Sequence, residues 1–280
     1  MTILGKFLVH YGIWILLLYL SGLLARNALY EGITQTFFWA ITLSYVGCFI
    51  IANWPVSRPK INWIALGIWA ISLTLLLPLA LRGDHILGVD THREFYAFMQ
   101  SDLNNEVYTW DGGLVASCLS VTILPVIFQD VTSIEHEVLF KILYPILFSV
   151  FPVIVYLIAR RFMAVGWAVL SGLTITLQPM FLWTTANART SLGVLFIALF
   201  LLVMFSDVRD GSKFIYITLL GVGCALSHYM SAVVLLVLLA TFLLFKGYRT
   251  VTFFSLSIIA AVTLTWQVSS GLENHYWFLQ

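Results

Sequence analysis

The sequence predicts an all-α, polytopic membrane protein with about nine transmembrane helices and a long outer loop that carries interfacial helices. Three observations lead there. Of 280 residues, 61% are hydrophobic and only 10% charged, against roughly 25% charged in a soluble domain. Apolar runs recur at close to the roughly 20 residues a spanning helix needs: 7–25, 36–53, 62–81, 138–158, 163–182, 191–206, 214–228, 229–245 and 250–269. The basic residues collect at alternate ends of those runs, as the positive-inside rule requires.

Taken in order, the first run follows Lys6 and lacks a small-x-small cleavage site, so it reads as an anchor or plain first helix rather than a removed leader. With the second run it makes residues 1–61 a pair of extra N-terminal helices. Residues 62–269 form the main helical core, and 270–280 an outer tail bearing the interfacial aromatics Tyr276, Trp277 and Phe278. A longer protein would continue from that tail into an outer domain or further helices.

A cytoplasmic N-terminus and nine crossings give the inner ends Lys6, Arg58, Lys60, Arg160, Arg161, Arg209, Lys213, Lys246 and Arg249, nine of fourteen Lys and Arg. Arg26, Arg82, Arg93 and Arg189 stay outside, and Lys141 lies at the outer start of the fourth run. A tenth apolar run, 113–128 (GLVASCLSVTILPVIF), is shorter and contains Pro125. Were it to cross, Arg160-Arg161 and Lys246/Arg249 would face outward. It is therefore read as interfacial or re-entrant, and the 82–137 loop as external. The expected location is the plasma membrane.

Other classes are disfavoured. Cys48, Cys118 and Cys224 sit in apolar runs without a C-x-x-C, as buried apolar side chains do. A net charge of +1 offers nothing to a nucleic acid. No phosphate-binding glycine loop and no internal repeat is present. Gln178-Pro179 marks a kink in the fifth run.

Chemistry concentrates in residues 82–112. They hold Asp84, Asp90, Glu94, Asp102, Glu106 and Asp111, six of thirteen acids, and His85 and His92, two of six histidines. At their centre stands Asp90-Thr91-His92-Arg93-Glu94-Phe95. If extended, Asp90, His92 and Glu94 share one side and suit a divalent metal such as Mg or Mn. If helical, Asp90 and Glu94 share a face, as a base with a supporting carboxylate, and His92 points elsewhere. A solvated loop with Arg93 paired to a nearby acid is the plain alternative.

Elsewhere, Arg189 in TTANARTS either snorkels to headgroups or grips a lipid phosphate. His228-Tyr229 caps a tight hairpin or faces the Asp90 loop as part of a substrate site. Lys141 snorkels or contacts phosphate. Glu135, His136 and Glu137 are rim residues, with His136 able to approach the site.

An apolar helix leading into an acidic outer loop, an interfacial stretch and a return helix is similar to the GT-C superfamily of membrane glycosyltransferases. The closest likeness is to poorly characterised prokaryotic members with a D-x-H-x-E-aromatic loop, here Asp90, His92, Glu94 and Phe95. LSVTILPVIF, VLFKILYPILFSVFPVIVYLIARR and LSHYMSAVVLL also resemble that group, which covers roughly 62–260. The resemblance implies hexosyl or pentosyl transfer from a polyprenyl-phosphate-linked donor to a glycan, lipid or protein acceptor. Asp90 would be the base, Glu94 and His92 its supports or co-ligands of a metal. Arg189, Lys141, Arg93, His228 and Tyr229 would bind substrate. Two departures stand out: two helices precede the family-like one, and the chain ends before an outer soluble domain. The alternatives are a transporter or flippase-like protein, disfavoured because acids are scarce within the runs, and a non-catalytic membrane subunit whose outer loop docks a membrane protein partner.

Overall fold

The structure, a computed structural model, describes residues 63–81, 85–86, 88–104, 113–183, 186–245 and 249–269. The two predicted N-terminal helices of 1–61, the 270–280 tail, and Asp84, Glu106 and Asp111 lie outside them. The described residues form twelve helices and no strand, in agreement with the all-α expectation. They are α1 (Trp63–Ala80), α2 (Val89–Asn104), α3 (Gly113–Ala116), α4 (Ile123–Thr132), α5 (His136–Phe148) and α6 (Phe151–Phe162). There follow α7 (Val165–Thr176), α8 (Pro179–Trp183), α9 (Ala188–Met204), α10 (Asp210–Ser227), α11 (Tyr229–Phe242) and α12 (Arg249–Ser269).

The long helices alternate in direction. Near the start of α1, Ile68 packs with Tyr156 of α6; near its end, Leu76 packs with Phe148 and Phe181. α5 and α6 run as one 27-residue rod, His136–Phe162. Its far end meets the end of α9 through Phe162 and Phe205, whose ring centroids are 5.3 Å apart, and through Arg161 and Asp207. α10 returns, and α11 descends again to set Phe242 edge-on against Phe200 and Phe205. α12 climbs beside α10, with Thr218 and Ser255 hydroxyls 3.2 Å apart, until the Trp266 indole N–H reaches the Ser117 carbonyl at 3.0 Å.

Helices α2, α3 and α4 and the 117–122 turn close one end. The 113–128 run, expected to be interfacial or re-entrant, is divided by that turn into two short helices, with Pro125 inside the first turn of α4. The turn is fastened from two sides. Leu119 N–H donates to Leu226 O at 2.8 Å, and the Ser120 hydroxyl to Ser227 O at 2.8 Å, both at the end of α10. The Tyr144 hydroxyl of α5 donates to Ser120 O at 2.8 Å.

Packing inside the bundle mixes large apolar side chains, such as Ile68, Phe98, Phe200 and Leu235, with small and polar ones. Ser72, Ser149, Thr176, Ser191, Ser231, Thr252 and Ser255 are buried, whereas Trp167, Leu170, Ile215, Leu219, Val237, Phe253, Phe254 and Leu264 are exposed. Close approach sets the pattern at Gly193: a Cβ there would lie 2.7 Å from Ser231 Cβ and 3.0 Å from His228 Cβ.

Among the described residues two helices, His136–Phe162 and Thr252–Ser269, are long and apolar enough to cross a membrane, and five other apolar helices run 10–17 residues. The predicted 163–182 crossing is divided by a turn at Leu177–Gln178 into the 12-residue α7 and the 5-residue α8. At 1.5 Å per residue α7 spans about 18 Å, short of a roughly 30 Å hydrocarbon core.

Candidate functional site

The site forms where the first turn of α2 meets the first turn of α9. Gly88 precedes α2 at φ +103°, and a Cβ there would lie 2.8 Å from that of Ala186. Only glycine combines that backbone with that approach. The residue lets α2 start directly against the 186–189 segment. Because α2 is helical, Asp90 and Glu94 are one turn apart and share the face that looks at α9.

Glu94 is fully buried. Its carboxylate accepts the Ala188 N–H at 2.9 Å and the Arg189 N–H at 3.4 Å. These are two of the donors that a helix N-terminus leaves unpaired within itself. α9 has no cap of its own from the Asn187 side chain, so a side chain from another helix supplies one. The helix dipole favours an acid there. The same carboxylate lies 3.2 Å from Arg189 Nε, in charge contact but out of hydrogen-bond alignment.

Arg189 is itself nearly buried, and its Nη2 comes 3.8 Å from Asp90 Oδ2. The Asp90 side chain is 44% exposed. Three charged groups thus form one chain, from the fully buried Glu94 through Arg189 to the half-exposed Asp90. Burial pushes the Glu94 carboxyl up to about 7, against the pull of Arg189 and the two N–H donors, and Asp90 adds to the rise.

Other elements complete the surroundings. His228, at the joint of α10 and α11, has Nδ1 2.8 Å from the Ser231 hydroxyl and its ring tilted on Tyr229 at 5.1 Å. Burial first, and the Arg189 charge second, push its imidazole down to about 4. It is neutral at physiological pH. The Cys118 thiol of the turn feels both Arg189 and Glu94, and burial raises it to about 11, so it is protonated and unreactive. Cys118 and Cys224 are buried, as expected; Cys48 lies outside the described residues.

The remaining predicted site residues fall elsewhere. His92 and Arg93 are exposed. A helix turns about 100° per residue, so His92 lies on a different face from Asp90 and Glu94, and Glu94 is already committed to α9. The extended Asp90-His92-Glu94 metal set is therefore not formed. Among the described residues no three His, Cys, Asp or Glu side chains gather as a metal site. Lys141 is buried with Nζ 3.6 Å from Glu137, not extended to the surface. Glu137 also accepts the Ile86 N–H at 2.8 Å and lies 3.7 Å from His85. Arg189, read as a headgroup-level side chain, is instead drawn inward by Glu94.

Sequence reasoning missed two links. His136 Nε2 lies 2.6 Å from Asp102 Oδ2 and its ring packs on Phe98, tying the end of α2 to the start of α5. Glu137, the next residue, ties down the segment before α2. The adjacent His-Glu at the start of an apolar run was the only signal. No protein-family model, curated protein or solved structure matches this chain.

Proposed function

We propose that the chain is a membrane-embedded glycosyltransferase that moves a sugar from a polyprenyl-phosphate-linked donor to an acceptor at the end of the bundle carrying Asp90. The carrying observation is the Asp90–Arg189–Glu94 chain: a half-exposed carboxylate set beside a guanidinium that is fixed from behind. Membrane embedding is supported by the two helices long and apolar enough to cross, and by the large apolar side chains, Trp167, Leu219, Phe253 and Leu264 among them, that the bundle turns outward. Nine crossings, the one at 163–182 made by α7 and α8 in tandem rather than by a single helix, a cytoplasmic N-terminus and an external 82–137 loop complete the reading. Arg161, Arg209 and Lys213 then fall at the inner end and the acidic site at the outer one.

In this reading Asp90 takes the proton of the acceptor hydroxyl. The freed oxygen bonds to the anomeric carbon, and the bond from that carbon to the phosphate oxygen breaks. The departing phosphate keeps the electron pair, and Arg189 offsets its charge. Exposed Arg93 on α2 supplies further positive charge. Glu94 orients Arg189 rather than meeting substrate. The placing of ionisable groups at the two ends, instead of midway along the helices, favours transfer chemistry over ion-coupled transport.

The test is transfer of label from polyprenyl-phosphate sugars by the purified full chain and by Asp90→Asn. That change keeps size and removes charge, and it should lower transfer at least about 100-fold. Thermal stability should barely change, since Asp90 is half-exposed. Undiminished transfer in the variant would remove Asp90 from the mechanism.

A further inference from the structure

We propose that an anionic ligand at Arg189 is taken up together with one proton, which Glu94 carries. This rests on the preceding reading that a phosphate group binds at Arg189. The first observation is charge count. Within ion-pair distance of Arg189 stand two carboxylates, Glu94 at 3.2 Å and Asp90 at 3.8 Å. With both ionised the group carries a net charge of −1, and a phosphate beside it meets repulsion.

The second observation is what surrounds Glu94. On its own helix lie Asp90, a like charge, and the outward-turned His92 and Arg93. From α9 comes Arg189, already shared with Asp90. The 117–122 turn presents Cys118, α5 presents Tyr144, and the α10–α11 joint presents His228 beside Arg189. Cys118 and His228 are neutral, and the Tyr144 hydroxyl is spent on Ser120 O. No second cation faces Glu94 among these groups.

The third observation decides which carboxylate yields. Asp90 is half-exposed and can hold its charge in water. Glu94 is fully buried, where a charge costs most. Glu94 is therefore the acid that protonates when a third anion arrives, freeing Arg189 to pair with phosphate. A protonated Glu94 still has a carbonyl oxygen to accept the Ala188 N–H, so the cap on α9 survives. The raised position of this carboxyl, near neutrality, puts the proton within easy reach.

The experiment is calorimetric binding of a short-chain polyprenyl-phosphate sugar to the full chain in detergent. It is run in buffer pairs of different ionisation enthalpy and across pH. The probe is a phosphodiester, which keeps one negative charge throughout, so any pH dependence belongs to the protein. Wild type should take up close to one proton per ligand above about pH 7, with affinity falling about tenfold per pH unit. Glu94→Gln mimics the protonated acid and should bind with pH-independent affinity and no proton uptake. Should that variant fail to fold, proton uptake by wild type alone decides.

Binding without proton uptake, or an unchanged pH dependence in Glu94→Gln, overturns the coupling. Coupled binding without any sugar transfer upholds it while removing the transferase reading. Transfer accompanied by uncoupled binding does the reverse. No binding at any pH removes the phosphate site at Arg189 and the coupling with it.

Discussion

Two arginine–carboxylate pairs of nearly equal length hold opposite ends of the bundle. Arg161 meets Asp207 at 3.1 Å, and Arg189 meets Glu94 at 3.2 Å. Their settings differ completely. The Asp207 side chain is 99% exposed and that of Glu94 is 0% exposed. At the first, water screens the pair and competes for it, so the contact contributes little. At the second, both charges have given up water, and the arrangement stands only because two backbone N–H groups and a helix dipole join in. Length alone says nothing of what an ion pair does; burial and the number of partners do.

The contrast breaks most visibly at Glu94. Glu94→Ala removes the cap from α9 and leaves Arg189 buried with Asp90 alone. It should cost roughly 3 kcal/mol, read as a large drop in thermal midpoint in detergent. The pH trend sharpens the point. The folded Glu94 binds its proton more tightly than the unfolded chain does, so its contribution is most favourable below the usual carboxylate range. It weakens as pH rises through about 7. Wild type should lose stability over that window and Glu94→Gln should not; parallel curves would locate the titrating group elsewhere.

A middle-sized effect is expected at Gly193, one turn after Arg189. An added methyl would meet Ser231 Cβ and His228 Cβ. Gly193→Ala should cost about 1–3 kcal/mol and disturb the His228–Ser231 contact. A neutral result would mean that α9 and α11 can part without penalty. The smallest effect belongs to the far end: Asp207→Asn should change stability by less than about 0.5 kcal/mol. A loss comparable with that of Glu94→Ala would abolish the distinction between the two pairs.

Legibility from sequence followed the range of the interaction. Apolar runs located the helices closely: 62–81 for Trp63–Ala80, 229–245 for Tyr229–Phe242, 250–269 for Arg249–Ser269. Burial of apolar side chains is written in consecutive residues. Gln178-Pro179 likewise marked a real interruption. Asp90, Glu94 and Arg189 were all singled out, and the helical alternative for Asp90–Glu94 correctly turned His92 away. What could not be read was the division of labour. Asp90 stood out as the central acid, but Glu94 is the one that reaches α9, because only the folded chain brings residue 94 against residues 188 and 189. The Asp102–His136 and Ile86–Glu137 links were hidden for the same reason. So was the burial of Arg189, which depends on a partner most of a hundred positions away.

That separation has a cost in time. Glu94 and Ala188 are 94 positions apart, and Ser117 and Trp266 are 149 apart. At roughly 5–20 residues per second of synthesis, Glu94 exists for about 5–20 s before its partner has been made, and the 117–122 turn waits longer for Trp266. In the proposed membrane setting a lone carboxylate cannot be parked in hydrocarbon for that interval. It can wait in water. The placement of α2 at the end of the bundle, outside the long rods, gives the nascent chain such a waiting position. In order of synthesis the acid comes first and the α9 N–H groups that it caps come later.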